Sequence, residues 1–488
     1  MKHFLTLSIA LSLSSSVVAQ VQDERPIIGW WRASLIHAGE SRDIWLHFQE
    51  HDGNLIALFT NPAIGAEDAP LSKVIVTPAA VELSSLGWTL RRDGDALTGV
   101  VPASLIPQYK MAARFTRTGT PPRPAAPSST QRAPKPLWTQ SIRSAVYAGL
   151  AFDPAGKRVI AASESGDVTA LRASDGQLAW TIDAGAAIRA TPLVAGSSLY
   201  VPTEKALLKL DLATGRRVWA SSLGKAKAER LPIDNPNSRY DDFASSAVLS
   251  GDSVYAGSRD GCVYRFNAGS GETIGRYCAT DIITATPVVE GNRVYFVSFD
   301  QHVYAADRDS GRIVWNRDVH GAVPRDLALA GNNILAGSRS YDLVALNKAT
   351  GKPSWTGYYW FSWVDSVPNV IGSTIYIGSS DALRVYAFNS ANGHKLWETV
   401  VPGWTWAKPA VGHRTLYASV TGTGGPYMGP RLGGFAAIDK ASGRLRWLMD
   451  SEKPGKVPEY GFASAPVVAD GKVYAADLRG HIFAFRED

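Results

Sequence analysis

The side chains best equipped for chemistry in this chain are arginines and aromatic rings in segments of irregular length. Arg143, Arg189, Arg325, Lys408 and Arg431 supply fixed cations, with Arg339 and Arg479 in comparable segments. Tyr240, Trp363, Trp404, Trp406 and Tyr460 supply flat faces, joined by Tyr427, and Asp241, Asp242 and Asp365 supply carboxylates. Guanidinium and indole groups together stack on planar ligands or sugars, and they also anchor protein partners. The set therefore reads as a ligand-binding face. Other chemistries lack their residues: no HExxH, HxH or Cys/His cluster, no GxSxG and no phosphate loop occurs. His302 and His481 occupy matching positions in a repeat, where turn structure is a simpler reading than metal binding, and no metal site is expected. A Tyr or His base in a lyase acting on an anionic polysaccharide rests on composition alone.

A repeat must position these segments. Gly-x-x-x-Trp recurs at Gly176/Trp180, Gly215/Trp219, Gly311/Trp315, Gly351/Trp355, Gly393/Trp397 and Gly443/Trp447; the unit from Gly271 keeps the frame but has Gly275 in place of Trp. Successive Trp positions lie 39 to 56 residues apart, the period of a four-stranded propeller blade. Each unit also carries a strand–turn–strand such as "TPVVEGNRVYFVS", and eight copies are present. The last unit stops three strands in, at "HIFAFRED", while "PLWTQSI" offers a lone fourth strand with Trp138. Joining them closes a ring. The expectation is an all-β protein: an eight-bladed β-propeller over 137–488, with one blade shared between its ends.

The repeated tryptophans, Trp138, Trp180, Trp219, Trp315, Trp355, Trp397 and Trp447, are read as structural, each filling the same contact between neighbouring blades. Cys262 and Cys278 face each other across the hairpin of the blade that lacks its Trp, so a structural disulfide is expected, compensating for lost packing. The turns within the first strand pair and before each Trp strand are minimal. The other connections vary in length and share one face, which marks the binding side.

The phrase "VYAADRDSGRIVW" resembles the tryptophan-docking repeat of pyrroloquinoline-quinone (PQQ) type propellers, over residues 137 to 488. That resemblance implies the fold. It leaves function open, because the group contains PQQ-dependent alcohol dehydrogenases as well as non-enzymatic envelope proteins, among them the propeller subunit of the outer-membrane β-barrel assembly machinery. The dehydrogenases would need PQQ with Ca²⁺, arginines for the cofactor's carboxylates and a catalytic Asp, for which Asp241, Asp242 or Asp365 are the candidates. They usually add a disulfide between adjacent cysteines, and no Cys-Cys pair occurs here.

Lys2 and His3 precede a short apolar stretch ending near Ala19, the pattern of a Sec-type signal peptide over 1–19. No cysteine lies near the cleavage site, so no lipid anchor is expected. The strand signals of 20–118 predict a small antiparallel β-sheet or partly open β-barrel; Ile44, Leu46 and Phe48 alternate with Trp45 and His47. A Pro/Ala-rich linker, 119–136, follows. With 50 basic and 44 acidic residues and no basic run, nucleic acid is excluded as a partner. The chain reads as a monomeric periplasmic or secreted propeller, without transmembrane segment, that binds an envelope protein, glycan or small ligand. No cofactor is assigned; the quinoprotein and the lyase are the alternatives.

Overall fold

Eight antiparallel sheets follow one another along the second part of the chain, seven of four strands and one, blade 7, extended to five by Glu459–Gly461, in a computed structural model that describes residues 27–37, 39–102, 110–122, 126–423 and 431–487. The signal-peptide reading (1–19) and Tyr427 lie outside the described residues. Blades 1 to 7 span 151–183, 193–222, 247–278, 288–318, 328–358, 369–400 and 410–450, each running in chain order from inner to outer strand. Blade 8 combines Val467–Ala469, Lys472–Ala476 and His481–Arg486 with Trp138–Ser141 as its outer strand, Trp138 opposite Ala484. The ring is thus closed by pairing its two chain ends. The fold is all-β, an eight-bladed propeller with a separate nine-stranded sheet.

Why Trp recurs is visible in the fourth strands. In blades 1 to 7 the third and fourth strands slip register by one residue just before the Trp position, so Ala305 faces Trp315 and Ala306 faces Ile313. A bulge of this kind re-aims the next side chain, here toward the following blade. There the indole of Trp315 lies on Gly351 and donates from Nε1 to Lys348 O at 3.0 Å. Trp138, Trp355 and Trp397 repeat that bond to Ala173, Ser390 and Lys440. Gly is required beneath the ring for two reasons. Gly351 has φ +67, and a Cβ there would come within 2.6 Å of the Trp315 ring. The carboxyls of Asp211, Asp307 and Asp439 accept hydroxyl and backbone donors from the same turns, which hold them below the usual carboxylate range.

Blade 3 departs from the pattern in a compensated way. Opposite Gly275 stands Arg265, where most other blades place Ala opposite Trp. Arg265 Nη1 donates to Arg308 O at 3.0 Å and Tyr277 Oη donates to the same carbonyl at 2.5 Å. A guanidinium and a phenol therefore deliver the hydrogen bond an indole makes elsewhere. Cys262 and Cys278 are bonded, at paired positions of the same hairpin. The lost packing is thus made good first by Arg265 and Tyr277, and the disulfide adds to it.

The inner strands are stitched around the axis by short side chains. Gly149 N donates to Thr191 Oγ1, Thr191 N to Ser246 Oγ, Ser246 N to Thr286 Oγ1 and Thr286 N to Asp326 Oδ1, at 2.7–3.0 Å. Apolar clusters fill each blade-to-blade contact, for example Ile160, Val168, Leu199 and Leu208 with Trp180 between blades 1 and 2. At blade 7 no following Gly-x-x-x-Trp turn exists. Instead Thr130 N and Gln131 N donate to Leu445 O and Arg446 O, and Ala133 packs beside Trp447, which is 1% exposed. The chain before Trp138 is therefore part of the propeller unit from Ala126 onward.

The other unit comprises 27–122 with 230–240 among the described residues. Its nine strands form one antiparallel, nearly closed sheet, in which the first strand, Gly29–His37, pairs with the second, Glu40–His51, and with the last, Lys110–Thr118. Ile44, Leu46 and Phe48 point into its core with Trp31, Leu35, Leu90 and Phe115. Trp45 is also buried, with the guanidinium of Arg32 over its ring.

Candidate functional site

The loops leading into the blades and the turns between second and third strands bring their polar side chains together at one end of the propeller. Three ionic knots form there. In the first, Arg189 pairs with Glu164 (Nε–Oε2 2.7 Å), donates to Asp242 O at 2.9 Å and stacks on Tyr147 at 4.2 Å. Tyr147 Oη donates to Glu459 Oε2 at 3.1 Å. In the second, Arg339 clasps Asp365 from Nε and Nη2 at 3.0 and 2.8 Å and lies between the rings of Trp363 and Phe299. Arg325 donates from Nε to Asp365 O at 3.0 Å, while its guanidinium covers Phe243 at 3.7 Å and approaches Trp406 at 5.6 Å. In the third, Trp404 and Trp406 stack at 4.5 Å, Trp404 Nε1 donates to Asp381 Oδ1 at 3.2 Å, and Arg431 lies 3.8 Å from the same oxygen. Arg259 and Asp241 form a further pair beside them.

Burial sets the electrostatics. Glu459 is pushed up to about 8 by desolvation, reinforced by the charge of Asp242. Desolvation also raises Asp381, against the pull of Arg431, and lowers Arg325 to about 10. Tyr147 is raised far above its ordinary value by burial and by Glu459. A tyrosine acting as a base needs the opposite shift.

The sequence-predicted residues divide accordingly. Arg325, Asp241, Asp365, Trp404, Trp406, Arg431 and Tyr460 are buried, and Arg189 nearly so; they form a closed web in place of an open mouth. Trp363 is half-buried. Arg143, with a side chain 78% exposed, and Lys408 stand at the rim. Tyr240 belongs to the other unit, because the long connection between blades 2 and 3 leaves the propeller over 230–240. Tyr147, Glu164, Phe243, Arg259, Asp381 and Glu459 were not foreseen. One signal for them exists: in blades 1, 3, 4 and 5 the residue after the Ser that follows the second strand supplies Glu164, Arg259, Phe299 and Arg339. That position recurs once per blade.

The web does not suit PQQ. Arg189, Arg259 and Arg339 are committed to carboxylates of this chain, and the ring faces that would cradle a quinone are in contact with each other at 4.5 Å or carry a guanidinium. Among the described residues no group of three or more His, Cys, Asp or Glu could hold a metal ion. No helix among them is long and apolar enough to cross a membrane.

Comparison with known proteins gives one family. Residues 130–325 and 300–487 match the sequence family described as outer membrane protein assembly factor BamB. BamB of Yersinia pestis is 25% identical over 167 residues, a stretch covering 32% of this chain and 39% of that protein. The crystal structure of BamB from Moraxella catarrhalis superposes with a TM-score of 0.52 at 20% identity, covering 71% of this chain and 97% of that one. The computationally designed Ika8 protein reaches 0.55 at 14% identity over 72% of this chain and all of its own. At such identities the two structures establish the fold and nothing further.

Proposed function

The chain belongs to the family of the outer membrane protein assembly factor BamB, a family of PQQ-type propellers, and from that premise we propose that it is an exported, non-catalytic scaffold of outer-membrane protein assembly, docking an envelope protein on the rim of its variable-loop face. One observation carries this reading beyond family membership. The arginines and tryptophans that could have bound a small cofactor are largely committed to this chain, in a buried web that holds the loops of blades 1, 2, 3, 5, 6, 7 and 8 in fixed positions. Buried and ion-paired, with Arg325 Nη2 and Trp406 Nε1 the members left without a hydrogen-bond partner, such a network still fixes the loops it joins. It supports loop tips as a preorganised surface, and preorganisation is what a docking platform needs. Arg143 and Lys408 provide exposed cations on that rim.

Photo-crosslinking tests the proposal. A crosslinker replacing Lys408 or Arg143 in the full chain should capture an outer-membrane assembly protein from cells. The same group at Thr214 or Asn392, on turns at the opposite end, should not. Equal capture from both ends, or uptake of PQQ and Ca²⁺ with alcohol-dependent turnover, would overturn the scaffold reading.

A further inference from the structure

A cleft of about 300 Å³ lies between blades 7 and 8, lined by Met449, Phe462 and Phe483 and rimmed by His481, Arg479 and Glu452. The repeat itself supplies the control for judging it. Blades 3, 4 and 8 share one turn frame between second and third strands, so Ser258, Ser298 and Asp477 correspond, as do Asp260, Asp300 and Arg479, and Tyr264, Tyr304 and Phe483. In blades 3 and 4 the tyrosine hydroxyl bonds the aspartate at 2.6 and 2.8 Å and seals the turn. Blade 8 has exchanged both partners of that bond. Phe483 is half-buried with its ring on the cleft, and Arg479 is exposed. The residue that is Ser in the others is Asp477, 7% exposed, and its carboxylate holds His481 Nδ1 at 2.9 Å. A carboxylate on Nδ1 fixes the ring and leaves Nε2 as an acceptor.

We infer that this cleft binds a pyranose sugar unit. The chemistry matches part by part. A pyranose presents an apolar C–H face, suited to the half-buried Phe483 and Met449, and an equatorial rim of hydroxyls that each donate and accept. Arg479 donates, Glu452 accepts, and His481 Nε2 accepts, which is the mixed rim such hydroxyls require. The volume suits one or two sugar rings and excludes a folded partner. The inference rests on the cleft alone and does not depend on the scaffold reading.

Saturation-transfer NMR on the full chain, with glucose, N-acetylglucosamine and galacturonic acid each at millimolar concentration, reads binding directly. Transfer to the ring C–H protons of at least one sugar is expected. The double change Arg479→Asp with Phe483→Tyr rebuilds the seal of blades 3 and 4 and should abolish transfer while leaving the melting temperature unchanged. Glu452→Ala, an exposed change that spares the fold, should weaken affinity by about tenfold. No transfer to any of the three sugars, or undiminished transfer in either variant, would overturn the assignment.

Discussion

Blade 3 offers a direct test of what the repeated tryptophan does, because its volume has been traded across one strand pair. Gly275→Trp alone should destabilise the propeller. The new indole meets Arg265, whose Nη1 already occupies Arg308 O, and overpacking of this kind costs about 1–3 kcal/mol. Arg265→Ala alone loses that hydrogen bond and the one from Nε to Ser253 Oγ, about 1 kcal/mol each, and leaves a gap opposite Gly275. Its ion pair with Asp309 adds almost nothing, since that carboxylate is 63% exposed. The double variant restores the Ala–Trp pair of blades 1 and 4 to 7. Room exists for the ring: a Cβ on Gly311 would meet only Arg276 O, at 3.7 Å, where Gly351 is pressed by an indole. Burying the indole returns about 2–3 kcal/mol, so the double variant should be at least as stable as the parent. The coupling energy between the two changes should then be about 3 kcal/mol in the favourable direction. Calorimetry of the oxidised protein, following the propeller transition, measures it. Additive losses in the double variant would refute the view that Arg265 and Trp are alternative occupants of one interface.

The remaining predictions concern burial, titration and the crosslink. Trp404→Ala should lower stability by about 3–5 kcal/mol, since the ring is 2% exposed and stacked on Trp406, and thermal unfolding will show it. Glu459 holds its proton to about 8 in the folded state against 4.5 ordinarily, so the folded state binds more protons between these values. Stability should fall as pH rises through that window, and Glu459→Gln should make the slope in melting temperature against pH shallower, leaving the part due to the raised Asp381 and Asp326. Removing the Cys262–Cys278 bond, which closes a separation of 16 residues, should cost about 3 kcal/mol. Mass spectrometry of non-reduced peptides should find the two cysteines linked.

The sequence carried the architecture because the architecture is local and repeated. Gly-x-x-x-Trp, the strand–turn–strand phrases and the incomplete units at the ends are short-range patterns, and each blade answers to the same neighbour contact, so eight noisy copies reinforce one reading. The disulfide was legible for the same reason: register within one hairpin follows from its turn. The candidate site was legible only as a roster. Arg325, Asp365, Trp404 and Arg431 stood out by residue type, yet nothing in their spacing said that they would consume one another's charge.

That outcome belongs to the tertiary structure. Arg325 touches Phe243 and Trp406, from loops 82 and 81 residues away in the chain, because ring closure brings non-adjacent blades to a shared axis. Burial at that axis, not residue identity, decides that Glu459 holds a proton and that a guanidinium is committed to Asp365. Likewise the cover that Thr130 and Gln131 give to blade 7 depends on where a long segment can reach once the ring is built. Repeats are specified by short-range pattern and nearest-neighbour packing. What meets at their common centre is specified only by closing the circle.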